Sequence, residues 1–298
     1  MRISVIGAGA LGTFYAATLA ASGQDVTLVC RERDVEALRK GISVTGAMEK
    51  TARPSISTTP PPADMTFVTV KAYDLASAVK TIPPKPATPV ILIHNGLGVD
   101  EGAAAILGKG RAGIGVSYSG VTFLEPGKVR LAGYTETILG SAEDLVREKL
   151  APAKEALETA GLKACIVDDI RAAQWEKLYA NIAINPITAL TGLNNGMLLE
   201  VPELKALAAD IVAEAAGVAK ALDIKTAGDP VENTYRVIRN TYNNRSSMLQ
   251  DVARGRRTEI EALNGTVCRL GRQTGVPTPC NDTLTALVKG VEKRMGVL

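Results

Sequence analysis

The chain has 298 residues, 46% of them hydrophobic and 22% charged, with a formal net charge of +3. This composition excludes a disordered or fibrous protein, and the length implies two domains or one domain with a large elaboration. Interspersed charges, three Phe and one Trp leave neither a basic face nor stacking platforms, so nucleic-acid binding is not expected.

Cys30, Cys165, Cys268 and Cys280 lie far apart, without a C-x-x-C pair or a histidine cluster. They read as reduced thiols, and no metal site is expected. The first residues run directly into the strand-like "RISVIG", without a signal-peptide pattern. Even the Ala-rich stretch 203–222 holds Glu203, Lys205, Asp210 and Glu214, which a membrane helix would not. The expectation is a soluble cytoplasmic chain.

In chain order, "RISVIG" leads into a helix from about 11 to 22, then "DVTLVC", a helix from about 34 to 40, "MTFVTV" and "PVILIH". Strands separated by helices of this length predict right-handed crossovers and a parallel, doubly wound α/β sheet. The proline-rich "STTPPPAD" at 57–64 and "IPPKPATP" at 82–89 read as loops feeding strands. "AGIGVSYSGVTF" and "ETILG" extend the sheet, and "ACIVDD" at 164–169 reads as its last strand. Beyond that point helical periodicity is almost continuous, over 172–191, 202–222, 229–242, 245–274 and 281–294. The predicted organisation is a Rossmann-type domain over 1–168 and an all-α domain over 169–298.

Gly7, Gly9 and Gly12 form G-x-G-x-x-G directly after the first strand and at the start of a helix. Gly7 permits the tight turn, Gly9 lets the backbone approach a pyrophosphate, and Gly12 allows close helix–strand packing. The phosphates would lie on the helix N-terminus, so the whole loop Gly7, Ala8, Gly9, Ala10, Leu11 and Gly12 is assigned to a dinucleotide. Where an NAD-binding protein would offer an acid to the ribose, the sequence reads Cys30, Arg31, Glu32, Arg33. An Arg there can meet a 2′-phosphate with a planar fork of donors, which favours NADP; a solvated basic loop, with Glu32 turned toward the ribose, is the alternative. Lys71 in "TVKAYD" and Asn95 in "HNGLG" sit at the carboxyl ends of two further strands, where ligands bind in such sheets; a surface charge and an N-G turn are the alternative readings. The single histidine, His94, has no carboxylate placed to orient it and reads as a loop residue.

Lys177, Asn181 and Asn185 fall four apart and share one helix face, either a solvent face or one wall of a site. Pro186 withholds an N–H from the carbonyl of Ile182 and is expected to kink or end the helix. Asn244, Ser246, Ser247 and Glu259 fall within a second helical pattern, and helical phase would place Ser247, Asn244 and Glu259 near one face. Helix capping by Asn and Ser is the alternative reading of that cluster.

At these residues the chain resembles the ketopantoate reductase (2-dehydropantoate 2-reductase) family. The matching motifs are "GAGALG", "TVKAYD", "HNGLG", "WEKLYANIAINPITAL" with "NNG", and "NNRSSMLQDVARGRRTEIEALNG" with "GVPTPCNDTL". The resemblance implies NADPH-dependent reduction of 2-dehydropantoate to pantoate, on the route to pantothenate and coenzyme A. It implies Lys177 as proton donor, with Asn95, Asn181, Asn185, Asn195, Asn244 and Ser247 on the substrate. Lys71, Asn95 and Glu259 fall to the cofactor side. The expected partner is a small-molecule 2-keto acid, and a homodimer stays open. An NADP-dependent reductase of another 2-keto acid or imine, or a non-catalytic NADP-sensing protein, are the competing readings.

Overall fold

The computed structural model describes residues 1–84, 88–141 and 143–298; residues 85–87 of the second proline loop lie outside them. Contact density divides the chain into two units. The first holds Met1–His94 and Val99–Ile170, and the second holds Asn95–Gly98 and Arg171–Leu298. The division falls two residues beyond the boundary expected from periodicity, and the short segment Asn95–Gly98 clusters with the second unit.

The first unit carries a ten-stranded sheet. Its strands are β1 (Arg2–Ile6), β2 (Asp25–Val29), β3 (Ile42–Gly46), β4 (Lys50–Ala52), β5 (Ser55–Ser57), β6 (Met65–Val68), β7 (Val90–Leu92), β8 (Ala112–Glu125), β9 (Lys128–Gly140) and β10 (Ala164–Ile166). Its helices are α1 (Ala10–Ala21), α2 (Val35–Arg39), α3 (Leu75–Lys80), α4 (Val99–Leu107), α5 (Asp144–Arg147) and α6 (Ala151–Thr159). The order β5-β2-β1-β6-β7-β8 is parallel throughout. It is the third-second-first-fourth-fifth-sixth order of a dinucleotide-binding sheet, which reverses between β1 and β6. Val5, Leu28, Phe67, Ile91 and Leu92 are fully buried, as strands covered on both faces require.

The sheet is mixed rather than all parallel. β8 and β9 form a long antiparallel hairpin, β3 pairs parallel to β9, and β4 closes the edge antiparallel to β3. The short strands β3, β4 and β5 were not expected from the sequence. α1 is anchored by Tyr15, whose buried hydroxyl lies 2.8 Å from Ser117 Oγ on β8 and 2.6 Å from Thr137 Oγ1 on β9.

The second unit is helical: α7 (Ile170–Thr191), α8 (Met197–Glu200), α9 (Pro202–Ala221), α10 (Pro230–Asn240), α11 (Ser247–Ala253), α12 (Asn264–Thr274) and α13 (Pro279–Arg294). Leu178, Ile182, Ala183, Ile211, Val212, Ile238, Val267 and Val288 form its apolar centre. One expectation is corrected here. The helix predicted over 245–274 is two helices, because the chain turns at Gly255, in the left-handed region at φ +59°, and resumes helical form only at Asn264. Of the two outcomes expected at Pro186, a kink or an end, the end is excluded, since α7 runs five residues past it. Among the described residues, no helix is long and apolar enough to cross a membrane.

Candidate active site

In the first unit, the chain leaves β1 through Gly7, at φ +106°, a conformation only glycine adopts freely. Thr69, just past β6, donates its hydroxyl to the carbonyls of Ile6 (3.0 Å) and Gly7 (3.1 Å), pinning the turn at the sheet's switch point. A β-carbon on Gly12 would sit 1.7 Å from the Gly7 oxygen, so residue 12 must be glycine for α1 to approach β1. A β-carbon on Gly9 would meet no protein atom within 4 Å. The protein's own packing therefore does not require glycine at 9, which is the pattern of a loop leaving room for a ligand. α1 begins at once, with no side-chain cap and no acid in its first turn, so its first N–H groups and positive dipole end suit an anion. These features fit a dinucleotide pyrophosphate.

Arg31 follows β2 and donates through Nη2 to Asp74 Oδ2 at 3.0 Å. Asp74 closes the short turn that starts at Lys71, so the strand ends of β2 and β6 are tied together by this ion pair. Arg31 is thus placed where a ribose substituent would be read, but it already holds an acid. With Glu32, Arg33 and Asp34 alongside, this corner is not plainly electropositive.

In the second unit, most of α7 is buried. Trp175, Leu178, Ile182, Ala183, Ile187 and Thr188 are buried, and Asn185 is only 4% exposed. Of the Lys177–Asn181–Asn185 stripe, which spans about 12 Å at helical rise, Asn185 is withdrawn from solvent while Lys177 and Asn181 are half-buried. At its N-terminal end, burial pushes the Lys177 ammonium down to about 8, and the negative charge of Glu259 opposes the fall. Glu259, itself buried, accepts a hydrogen bond from Asn95 Nδ2 at 3.1 Å. Asn95 is held there because Gly96, at φ +85°, lets the loop press on the 259–263 turn, with Leu97 N donating to the Ala262 carbonyl. A β-carbon on Gly96 would lie 2.0 Å from that same oxygen.

At the other end of the stripe, the Thr188 hydroxyl lies 2.6 Å from that of Ser246. Ser246 caps α11 by accepting from Leu249 N, so the capping reading holds for Ser246, and Ser247 is the exposed first residue of that helix. Asn244 reaches the neighbourhood through its backbone, whose carbonyl accepts from Asn195 N at 3.0 Å. Asn195 Nδ2 donates to Thr241 Oγ1 at 3.0 Å. Thr241 spends its own proton on the Val237 carbonyl, which fixes the amide's orientation and leaves the buried Asn195 Oδ1 without a donor. Lys177, Glu259 and Asn95 are therefore brought together, as are Asn195 and Asn244. The single helix face expected to join Ser247, Asn244 and Glu259 does not exist, because Glu259 lies in the turn after α11. Sequence reasoning missed Thr188, Thr241 and Asp74, whose only signal was their place within or beside the motifs.

Family models for ketopantoate reductase PanE/ApbA match residues 3–144, and for its C-terminal domain residues 169–292. A 2-dehydropantoate 2-reductase of Archaeoglobus fulgidus is 36% identical over 291 residues, covering 98% of either chain. One from Pyrococcus horikoshii is 33% identical, covering 99% of either chain. Among solved structures, a PanE/ApbA family ketopantoate reductase from Ralstonia eutropha JMP134 matches with a TM-score of 0.91 at 29% identity, covering 99% of this chain and 100% of that one. D-mandelate dehydrogenase, solved with NADH and anilino(oxo)acetate, matches with a TM-score of 0.93 at 25% identity over the whole of both chains. By sequence and by fold, the chain belongs to the ketopantoate reductase family and is an oxidoreductase.

Proposed function

We propose that the protein reduces the 2-keto group of 2-dehydropantoate to the alcohol of pantoate, with NADPH as reductant. The observation that carries this reading is a half-buried lysine, Lys177, beside a buried Glu259 that Asn95 holds at 3.1 Å, with the ammonium lowered by burial to about 8. NADPH, when bound, supplies the hydride. Gly7, Ala8, Gly9, Ala10, Leu11 and Gly12 hold its pyrophosphate, Arg31 reads its 2′-phosphate, and Lys71 adds a cation at the neighbouring strand end. Lys177 Nζ donates its proton to the keto oxygen as negative charge develops there. Proton transfer of this kind contributes about 10²–10⁴-fold. Glu259 favours the charged ammonium, so that the acid is loaded before reaction, and Asn95 holds Glu259 in place. Asn181 and Asn185 continue the wall, with Asn195, Asn244 and Ser247 completing the substrate set.

The choice of 2-dehydropantoate over simpler keto acids is supported by the 2-dehydropantoate 2-reductases that match the chain over 98–99% of its length.

A second reading has its own support. The fold match to D-mandelate dehydrogenase with NADH, together with the Arg31–Asp74 pair, favours a reductase of another 2-keto acid with a weaker demand for the 2′-phosphate. Steady-state reduction of a panel of 2-keto acids, with NADPH and with NADH, separates the two. A kcat/KM for 2-dehydropantoate tenfold below that of an unhydroxylated 2-keto acid would overturn the first reading.

A further inference from the structure

Pro186 sits inside α7, five residues from its end, and cannot donate to the Ile182 carbonyl, one turn back. That carbonyl is nevertheless satisfied: Asn264 Nδ2, at the start of α12, donates to it at 3.0 Å. The same amide nitrogen donates to Asn281 Oδ1 at 3.0 Å. Asn281 Nδ2 in turn donates to the Ile211 carbonyl at 3.1 Å and to Glu214 Oε2 at 2.7 Å, which fixes both amide orientations. Glu214 also accepts from the Cys280 and Asn281 backbone, tying the first turn of α13 to α9. Asn264 and Asn281 are both fully buried. A polar relay thus runs from α9 through α13 and α12 to one carbonyl of α7.

For helix stability alone this is a poor solution. An alanine in place of Pro186 would serve the Ile182 carbonyl from within α7, needing no buried amide, and the relay leaves Asn264 Oδ1 buried without a partner. What proline and asparagine provide together, and alanine would not, is a turn of α7 freed of its own backbone hydrogen bond and tied instead to α12. That turn runs from Ile182 to Pro186, and Asn181 and Asn185 immediately precede its two ends. We propose that Asn264 is a positioning residue: through the Ile182 carbonyl it holds the turn of α7 that sets Asn181 and Asn185 for the substrate. The proposal rests on the keto acid reading of that stripe.

The test compares wild type, Pro186→Ala, Asn264→Ala and the double variant by urea unfolding, by NADPH fluorescence titration, and by steady-state reduction of the best 2-keto acid substrate. Asn264→Ala should lose stability, and the double variant should regain part of it, because the backbone N–H restored by Pro186→Ala replaces the lost donor. Its keto acid kcat/KM should nonetheless stay about a hundredfold down, as for a reacting group displaced by about 1 Å, with most of the change in KM. NADPH affinity should shift less than threefold. Recovery of KM together with stability in the double variant would reduce Asn264 to a structural role and overturn the proposal. So would wild-type KM in Asn264→Ala. If Asn264→Ala does not fold, the double variant decides: folded with a raised KM supports the proposal, while wild-type KM or failure to fold overturns it. The unfolding cycle involves no substrate, so positive coupling between 186 and 264 without turnover of any keto acid would point to failure of the keto acid reading instead.

Discussion

Lys177→Met removes the proposed acid while keeping most of its apolar stem. The loss of a proton donor in the transition state costs about 10²–10⁴-fold in kcat, or about 3–5 kcal/mol. The lysine titrates at about 8 rather than 10.5, lowered first by burial and partly restored by Glu259. Reduction needs the protonated form, so wild-type turnover should hold to about pH 8 and then fall about tenfold per unit, where an ordinary lysine would stay charged past pH 10. Lys177→Met should show no such limb. Stability carries the opposite sign. Between the folded and unfolded values the unfolded chain binds the extra proton, so wild type gains stability relative to Lys177→Met as pH rises from about 8 to 10.5, on the order of 3 kcal/mol. Below pH 8 the penalty of the buried charge is fully present. Stopped-flow NADPH oxidation across pH 6–10 and urea unfolding over the same range measure both. A variant within tenfold of wild type in kcat, or a wild-type limb above pH 10, would refute the reasoning.

At the cofactor corner, Arg31→Ala should weaken NADPH roughly 10–100-fold, as loss of charge-assisted bonds implies, and NADH less than threefold, by fluorescence titration. Asp74→Asn should tighten NADPH several-fold and leave NADH unchanged, because it frees Arg31 from its ion pair; equal effects on both cofactors would remove Arg31 from 2′-phosphate recognition. Gly96→Ala drives a β-carbon into the Ala262 carbonyl and displaces Asn95 from Glu259, so kcat/KM should fall tenfold or more; unchanged kinetics would show that this loop does not set the site. Ser246→Ala loses the α11 cap and the contact with Thr188, with an expected cost of about 1–2 kcal/mol in urea unfolding and a smaller effect on NADPH binding.

The parallel core was legible because its signals are local. "RISVIG", "DVTLVC", "MTFVTV" and "PVILIH" are dense in β-branched residues, and the glycines between the first strand and helix have steric jobs that no other residue performs. β3, β4 and β5 escaped because they are short and lack a run of apolar residues, so neighbouring strands rather than propensity define them. The break after α11 escaped for a related reason. Helical periodicity continues through "RRTEIEALNG", but Gly255 turns the chain, and Thr258 N donates to Glu292 Oε1 on α13 at 2.6 Å. That partner lies 34 residues away.

Residue types in the site could be read from spacing, but their state could not, and Lys177 shows why. Burial of a cation lowers its pKa, a nearby carboxylate raises it, and the sequence contains both contributions without their sizes. The structure supplies the missing comparison by burying most of α7, so that desolvation outweighs Glu259. Pro186 follows the same logic. Its missing N–H is a certainty of covalent chemistry, whereas whether a helix breaks there depends on whether another donor reaches the orphaned carbonyl. Asn264, 82 residues on from Ile182, is that donor. The stripe where a kink or an end was expected is instead a continuous helix that lacks one backbone hydrogen bond, and the side chain that replaces it lies in the very motif whose helical phase was misread.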